Sequence, residues 1–286
     1  LARANSAAEC VEALRTWRAP VQNFTCADAG NIALTHAGRI PKRASGQGRV
    51  VEKAEGINSL WQGDIPFGDL PHEMNPARGF VYSANQRPVG PEYPYYLGWD
   101  FEEPFRGSRI RSRLEEHSKL DGTDFLQMQN DIVSQHASLA MPLMKKYTRI
   151  AGFSETEKNV FETMKQWDFF ERAKSIEPSV FDRWWKKIES LLWDEVHFGE
   201  RPYHPKRART LWFFRQFATE PSLAAWLKPF SSMEELVTQA FRESFADLTK
   251  EFGEDVNGWM WANVQKTEFP HFGRFPGLQS APVVMD

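Results

Sequence analysis

Asn85 sits near the end of the stretch Ala77-Arg78-Gly79-Phe80-Val81-Tyr82-Ser83-Ala84-Asn85-Gln86-Arg87-Pro88. Its residue types run from a strand into a loop stiffened by proline. A side-chain amide at a strand's end can aim its N–H at one fixed point. An oxyanion hole needs such a donor, neutral and preorganised where negative charge develops. The same spacing also fits a turn-forming Asn that bonds its own backbone. Spacing alone leaves both readings open.

No self-contained active site accompanies Asn85. The sequence contains no GxSxG elbow, SxxK, GxGxxG, P-loop or HExxH pattern. The seven histidines are scattered. His197 and His204 lie either side of Pro202 and read as surface residues rather than metal ligands, so no metal-binding residue is nominated. Lys206-Arg207-Ala208-Arg209 reads as a solvated face rather than an anion site. Cys10 and Cys26 form neither a CxxC nor a zinc-spaced Cys/His set, which argues against a metal finger or redox dithiol. They neither require nor exclude an oxidising compartment. A net charge of −3 gives no footprint for nucleic acid. No uninterrupted apolar run reaches the ~18 residues of a membrane span. There is no signal-peptide pattern. The chain opens on Leu1 and closes on Val-Val-Met-Asp286, and both ends read as cut from a longer polypeptide.

The elements that must position these residues divide in two. Ser6 with Glu9 forms a capping box for a helix from Ala7 to about Trp17. Asn23–Ala27 and Ile32–His36 flank Asp28-Ala29-Gly30-Asn31 and read as a hairpin. A Pro- and Gly-rich tract follows, through Pro41, Gly46, Gly48, Gly56, Gly63, Pro66, Gly68 and Pro71, with a short strand at Gly79–Ser83. From about Phe105 the pattern is helical, with Arg106, Ile110 and Leu114 marking the first helix. Asp121 and Asp124 cap a helix carrying Phe125, Met128 and Ile132. Ser154 with Glu157 is a full capping box ahead of Val160, Phe161, Met164 and Trp167. Phe181, Trp184, Trp185, Ile188, Leu192 and Val196 share one face, which reads as core rather than a cofactor box. Ser231 with Glu234 opens a last long helix that Gly253 can close. The fold class is α+β, with a mixed first part over residues 1–104 and a mainly helical part over 105–286. The first part has too few strands to cover its own edges, so its sheet is expected to be completed by other chain or a second copy.

Several ordered segments then carry a resemblance. They include Asn23-Phe24-Thr25-Cys26-Ala27-Asp28-Ala29-Gly30-Asn31-Ile32, Thr35-His36-Ala37-Gly38-Arg39-Ile40-Pro41 with Arg43, and Trp61-Gln62-Gly63-Asp64-Ile65-Pro66-Phe67. Asn75-Pro76 through Pro88, then Tyr93-Pro94 and Leu97-Gly98-Trp99, continue the series. Glu162–Asp168 and Leu248–Gly253, with Val256 and Trp259, follow downstream. In this order they resemble the penicillin acylase (penicillin amidase) family over roughly residues 15–260. Phe169 stands where that family usually has Gly.

The resemblance implies an N-terminal-nucleophile hydrolase, of which this chain is an internal part of the large subunit. It implies an αββα sandwich whose sheet is incomplete here. It implies a precursor cleaved so that a serine begins the large subunit, attacks an N-acyl amide and forms an acyl-enzyme. Leu1 has no hydroxyl, so the nucleophile is expected upstream, and the partners are expected to be the remaining segments of the same precursor. By the same resemblance Asn85 matches the oxyanion-hole Asn, and Arg106 matches the Arg that orients it. Arg109 and Arg111 are neighbours that compete for that match, and Arg106 also fits a helix-start arginine paired with Glu102 or Glu103. The resemblance implies that no cofactor is required for the chemistry. A structural calcium is implied for the parent, but Tyr95-Tyr96-Leu97 occupies the aligned place and the nearest acids are Glu92 and Asp100. The resemblance implies a periplasmic or secreted protein. Expected substrates are small N-acyl amides, namely β-lactam side-chain amides, N-acyl amino acids and peptides, or acyl-homoserine lactones. Two other classes stand beside the enzyme reading: a non-catalytic, self-associating domain, and an aromatic-rich binding module.

Overall fold

Ser6 starts the first helix because its hydroxyl accepts the backbone N–H of Glu9. The Glu9 carboxylate reaches back to Asn5 N rather than to Ser6. Helix α1 covers Ala7–Ala13 and tightens into a 3-10 turn at Leu14–Thr16, so the regular helix is shorter than the sequence suggests. The computed structural model describes residues 1–43, 48, 51, 61–194, 196–198, 201–202, 204–266, 270–273 and 275. Gly46, Gly56 and the closing Val283–Asp286 lie outside the described residues. The chain divides into two compact units, Leu1–Met128 and Gln129–Asp286.

In the first unit β1 (Gln22–Ala27) and β2 (Ile32–Ala37) pair antiparallel, with Asn23 opposite His36 and Cys26 opposite Ala33. Asp28 makes the turn. Its Oδ1 accepts Gly30 N and Asn31 N, and its Oδ2 accepts Ala7 N at 2.9 Å. One carboxylate thus closes the hairpin and binds the start of α1, where the helix dipole favours negative charge. These bonds, with the one from Ala7 N foremost, hold Asp28 down to about 2. Cys10 and Cys26 are joined in a disulfide linking α1 to β1, over a buried cluster of Ala7, Cys26 and Ala33. β3 (His72–Met74) adds to β2 and gives the order β1-β2-β3. Asn75, at φ 48°, accepts Ile32 N and donates to Asn31 Oδ1, tying the end of β3 to the hairpin.

Gly79–Ser83 is not a strand: among the described residues it lies outside every helix and sheet. Side chains hold it instead, with Arg78 Nε donating to Phe80 O and Asn23 Nδ2 donating to Ser83 Oγ. Helix α2 (Pro104–Glu115) then begins with Pro104, whose fixed φ suits a first turn, and it buries Gly107 and Leu114. Helix α3 (Gly122–Gln129) is capped by Asp121 Oδ1, which accepts Thr123 N and Asp124 N. It stops before Ile132, because Asp131 Oδ1 accepts Val133 N in a new turn. Helices α2 and α3 fall almost wholly in the first compact unit.

The second unit is helical. It comprises α4 (Gln135–Tyr147), α5 (Glu155–Gln166), α6 (Glu177–Trp193), a two-strand ladder of β4 (His197–Phe198) and β5 (Arg201–Pro202), α7 (Arg207–Gln216), α8 (Met233–Phe252) and α9 (Trp261–Val264). The Ser154/Glu157 capping box is complete. The N-cap of α8 is Ser232, not Ser231; Ser231 bonds Glu235 through its own N–H and hydroxyl. Gly253, at φ 91°, ends α8. The core is aromatic: Trp184, Phe161, Phe153 and Phe241 meet ring to ring, and Trp184 Nε1 donates to Val237 O. The Trp-rich face of α6 is core, as its period requires. Val196 lies beyond the helix. Phe169 adopts φ 67°, a left-handed conformation that suits glycine, and its ring lies against Trp167.

Candidate active site

The site is built where the turn at residues 83–86 meets the first turn of α2. Asn85 has φ 63°, a region that Asn tolerates better than most residues. Arg106 Nη2 donates to Asn85 Oδ1 at 2.7 Å and to Ala84 O at 3.0 Å. A guanidinium has donors only, so it can meet only the carbonyl edge of the amide. Asn85 Nδ2 therefore faces away from Arg106, and the guanidinium charge against Oδ1 polarises the amide into a stronger donor. The structure thus brings the two nominated residues together. Arg111 is ion-paired with Glu115 one turn further along α2.

The backbone of this turn is pinned from several sides. Glu102 N donates to Asn85 O at 2.9 Å. Gln86 Oε1 accepts Ala84 N at 2.7 Å. The Gln86 amide lies against Gly107, where a Cβ would stand 3.1 Å from Gln86 Cδ and Oε1. Ser83 Oγ accepts Asn85 N at 3.4 Å and Asn23 Nδ2 at 2.8 Å. Asn23 Oδ1 in turn meets His36 Nδ1 at 2.7 Å. Burial lowers the His36 pKa from its ordinary value, which favours the neutral ring. The serine, amide and imidazole stand in line, but an amide cannot take a proton from Ser83. The array is therefore not a base-activated nucleophile.

Asn23, Ser83, Gln86, Arg87, Pro88 and Arg111 help line a cavity of about 260 Å³. A neighbouring cavity of about 530 Å³ shares Asn23 and Pro88 and adds His36, Asp69, His72 and Tyr93. Spacing does not reveal Asn23, His36 or Gly107, whose contacts join distant parts of the chain, nor Gln86, which bonds Ala84 N locally but is seated on the distant Gly107. The one available signal is that Asn23 and His36 fall in the two arms of the expected hairpin.

No group of three or more His, Cys, Asp or Glu among the described residues could hold a metal ion. Asp69 Oδ2 accepts the Tyr95 hydroxyl at 2.6 Å. Calcium takes six or more oxygens, and these residues assign none of its ligands. His204 meets Asp194 at 3.3 Å. Lys206, Arg207 and Arg209 are exposed, as a solvated face would be. No helix of the described residues is long and apolar enough to cross a membrane.

The fold is part of that of an N-terminal-nucleophile hydrolase. It superposes on a thermostable penicillin G acylase from Alcaligenes faecalis with a TM-score of 0.69 at 17% identity, covering 90% of this chain and 52% of that one. The penicillin amidase family model matches residues 1–284, and the chain belongs to that family. Its curated relatives include the penicillin acylase 2 proenzyme of Pseudomonas sp. strain SE83, 26% identical over 71% of this chain and 26% of that protein. The acyl-homoserine lactone acylase QuiP of Pseudomonas fluorescens Pf-5 is 28% identical over 62% of this chain and 21% of its own length. The chain thus spans about a quarter of the length of these relatives.

Proposed function

We propose that the chain is part of an enzyme that hydrolyses small N-acyl amides, and that it supplies the oxyanion donor. In this reading Asn85 Nδ2 donates to the negative oxygen that develops when a serine hydroxyl adds to the acyl carbonyl. Arg106 fixes the amide's orientation and strengthens it as a donor. The carbonyl then re-forms, the amine leaves with a proton, and water releases the acid from the acyl-enzyme. The nucleophilic serine belongs to another segment of the same precursor, consistent with the quarter-length match to the relatives. The observation that carries the reading is the 2.7 Å bond from Arg106 to Asn85 Oδ1, which turns the N–H edge outward. The Cys10–Cys26 disulfide supports an oxidising compartment, hence a periplasmic or secreted parent.

The test is hydrolysis of a panel of chromogenic N-acyl anilides and N-acyl-homoserine lactones by the full-length protein, with this chain alone beside it. Cleavage by the full-length protein and none by the chain is the expected result. Cleavage by the chain alone would place a complete site within these residues and overturn the reading.

A second reading concerns the chain in isolation. Among the described residues the outer edges of β1 and β3 pair with no strand, and open edges recruit other strands. Self-association of the isolated chain would appear as a concentration-dependent sedimentation coefficient; a monomer at all concentrations would exclude it.

A further inference from the structure

We propose that Asn23 and His36 are positioning residues for Asn85, acting through Ser83; this rests on the oxyanion reading of Asn85 given above. The two residues face each other across the β1–β2 ladder, so the sheet itself sets their separation. Asn23 Oδ1 accepts from His36, so the ring carries its hydrogen on Nδ1. With its acceptor taken, Asn23 presents Nδ2 to Ser83 Oγ, sixty residues further along the chain. Ser83 Oγ also accepts the N–H of Asn85, the residue held in the left-handed region. The hydrogen bonds thus run from the central strand β2, through β1, to the backbone of the proposed oxyanion donor. Arg106 orients the Asn85 side chain from the helix side, and this chain anchors the same residue's backbone from the sheet side. An oxyanion donor works only when it is held in place before charge develops, so a backbone anchor acts on turnover more than on binding.

The experiment uses Asn23→Leu, Ser83→Ala and Ser83→Thr, with two readouts. The first is the side-chain amide resonance of Asn85 in the 15N-labelled chain, together with the His36 ring tautomer. The second is kcat and KM of the full-length protein on the best N-acyl anilide. Loss of one such bond, typically ~1 kcal/mol, corresponds to roughly a fivefold to tenfold drop in kcat. Expected are a shifted Asn85 amide resonance and that drop in Asn23→Leu and Ser83→Ala, with KM within about twofold. Ser83→Thr keeps the hydroxyl and restores both. An Nδ1–H tautomer of His36 is expected in the unmodified chain. An unmoved Asn85 resonance with unchanged kcat would overturn the proposal. If Asn23→Leu does not fold, as judged by circular dichroism, the Ser83 pair decides. A full-length protein that cleaves no N-acyl amide would sink the functional reading alone, because the resonance shift still judges the positioning.

Discussion

Gly107→Ala separates the stability of α2 from the precision of the Asn85 turn. Gly107 is buried in the first half of α2, and the Gln86 amide occupies the space a side chain would fill. An added methyl would stand 3.1 Å from Gln86 Cδ and Oε1 and 3.5 Å from Cγ. Gln86 must therefore retreat by a few tenths of an ångström, which stretches the 2.7 Å bond that Oε1 accepts from Ala84 N. Losing that bond costs about 1 kcal/mol. Replacing Gly by Ala within a helix returns about 0.8–1.0 kcal/mol of propensity. The two nearly cancel, so the melting temperature stays within a few degrees. The turn carrying Asn85 nevertheless loses one of its anchors, and kcat of the full-length protein on an N-acyl anilide falls roughly fivefold, with KM little changed. Thermal unfolding of the chain and steady-state kinetics of the full-length protein are the two assays. Unchanged kcat at unchanged stability would refute the idea that Gln86, seated on Gly107, positions Asn85. A loss of several kcal/mol would show instead that the methyl cannot be accommodated.

Three further outcomes follow from the same structure. Replacing both Cys10 and Cys26 by Ala opens a crosslink between residues sixteen apart, and denaturant titration should show a loss of about 3 kcal/mol. Asp28 is held down to about 2, first by Ala7 N and then by Gly30 N; its stabilisation is full above its ordinary carboxylate range and fades as pH falls from about 4 toward 2. Asp28→Asn should flatten unfolding curves over that window. Burial, reinforced by the charge of Arg207, holds His136 down to about 3, with its ring edge-on to Phe181 and Trp185. The native ring stays neutral while the unfolded ring takes a proton below about 6.5, so stability declines as pH falls from about 6.5 toward 3, by on the order of 1.4 kcal/mol per unit at its steepest. His136→Phe should remove that slope, and an unchanged slope would point to another group.

Much of this fold is legible as local chemistry. Ser6, Ser154 and Gly253 mark helix ends because a cap is a matter of three or four neighbouring residues. The hairpin is legible because Asp28-Ala29-Gly30-Asn31 carries its own turn chemistry. Where two local solutions compete, the sequence misleads. Ser231 with Glu234 and Ser232 with Glu235 are equivalent on paper, and the structure caps α8 with the second. Helix α4 escapes the periodic reading because Pro142 interrupts it. Gly79–Ser83 looks like a strand, but no partner strand among the described residues holds it. The candidate site divides in the same way. Asn85 and Arg106 are nominated from residue type and resemblance, and the structure places them 2.7 Å apart. The supports from Asn23, His36 and Gly107 depend on contacts between distant residues, and Gln86 couples a local bond to Ala84 N with its distant seat on Gly107, which no spacing rule contains. The Cys10–Cys26 pair is of the same kind, being set by how α1 lies on the hairpin.

The most direct measurement is kcat and KM for Asn85→Ala in the full-length protein, on the N-acyl anilide that the unmodified protein cleaves best. If Asn85 Nδ2 is the oxyanion donor, kcat falls by about a hundredfold to a thousandfold while KM stays within a few-fold. Turnover retained at the unmodified rate would contradict an oxyanion role for Asn85.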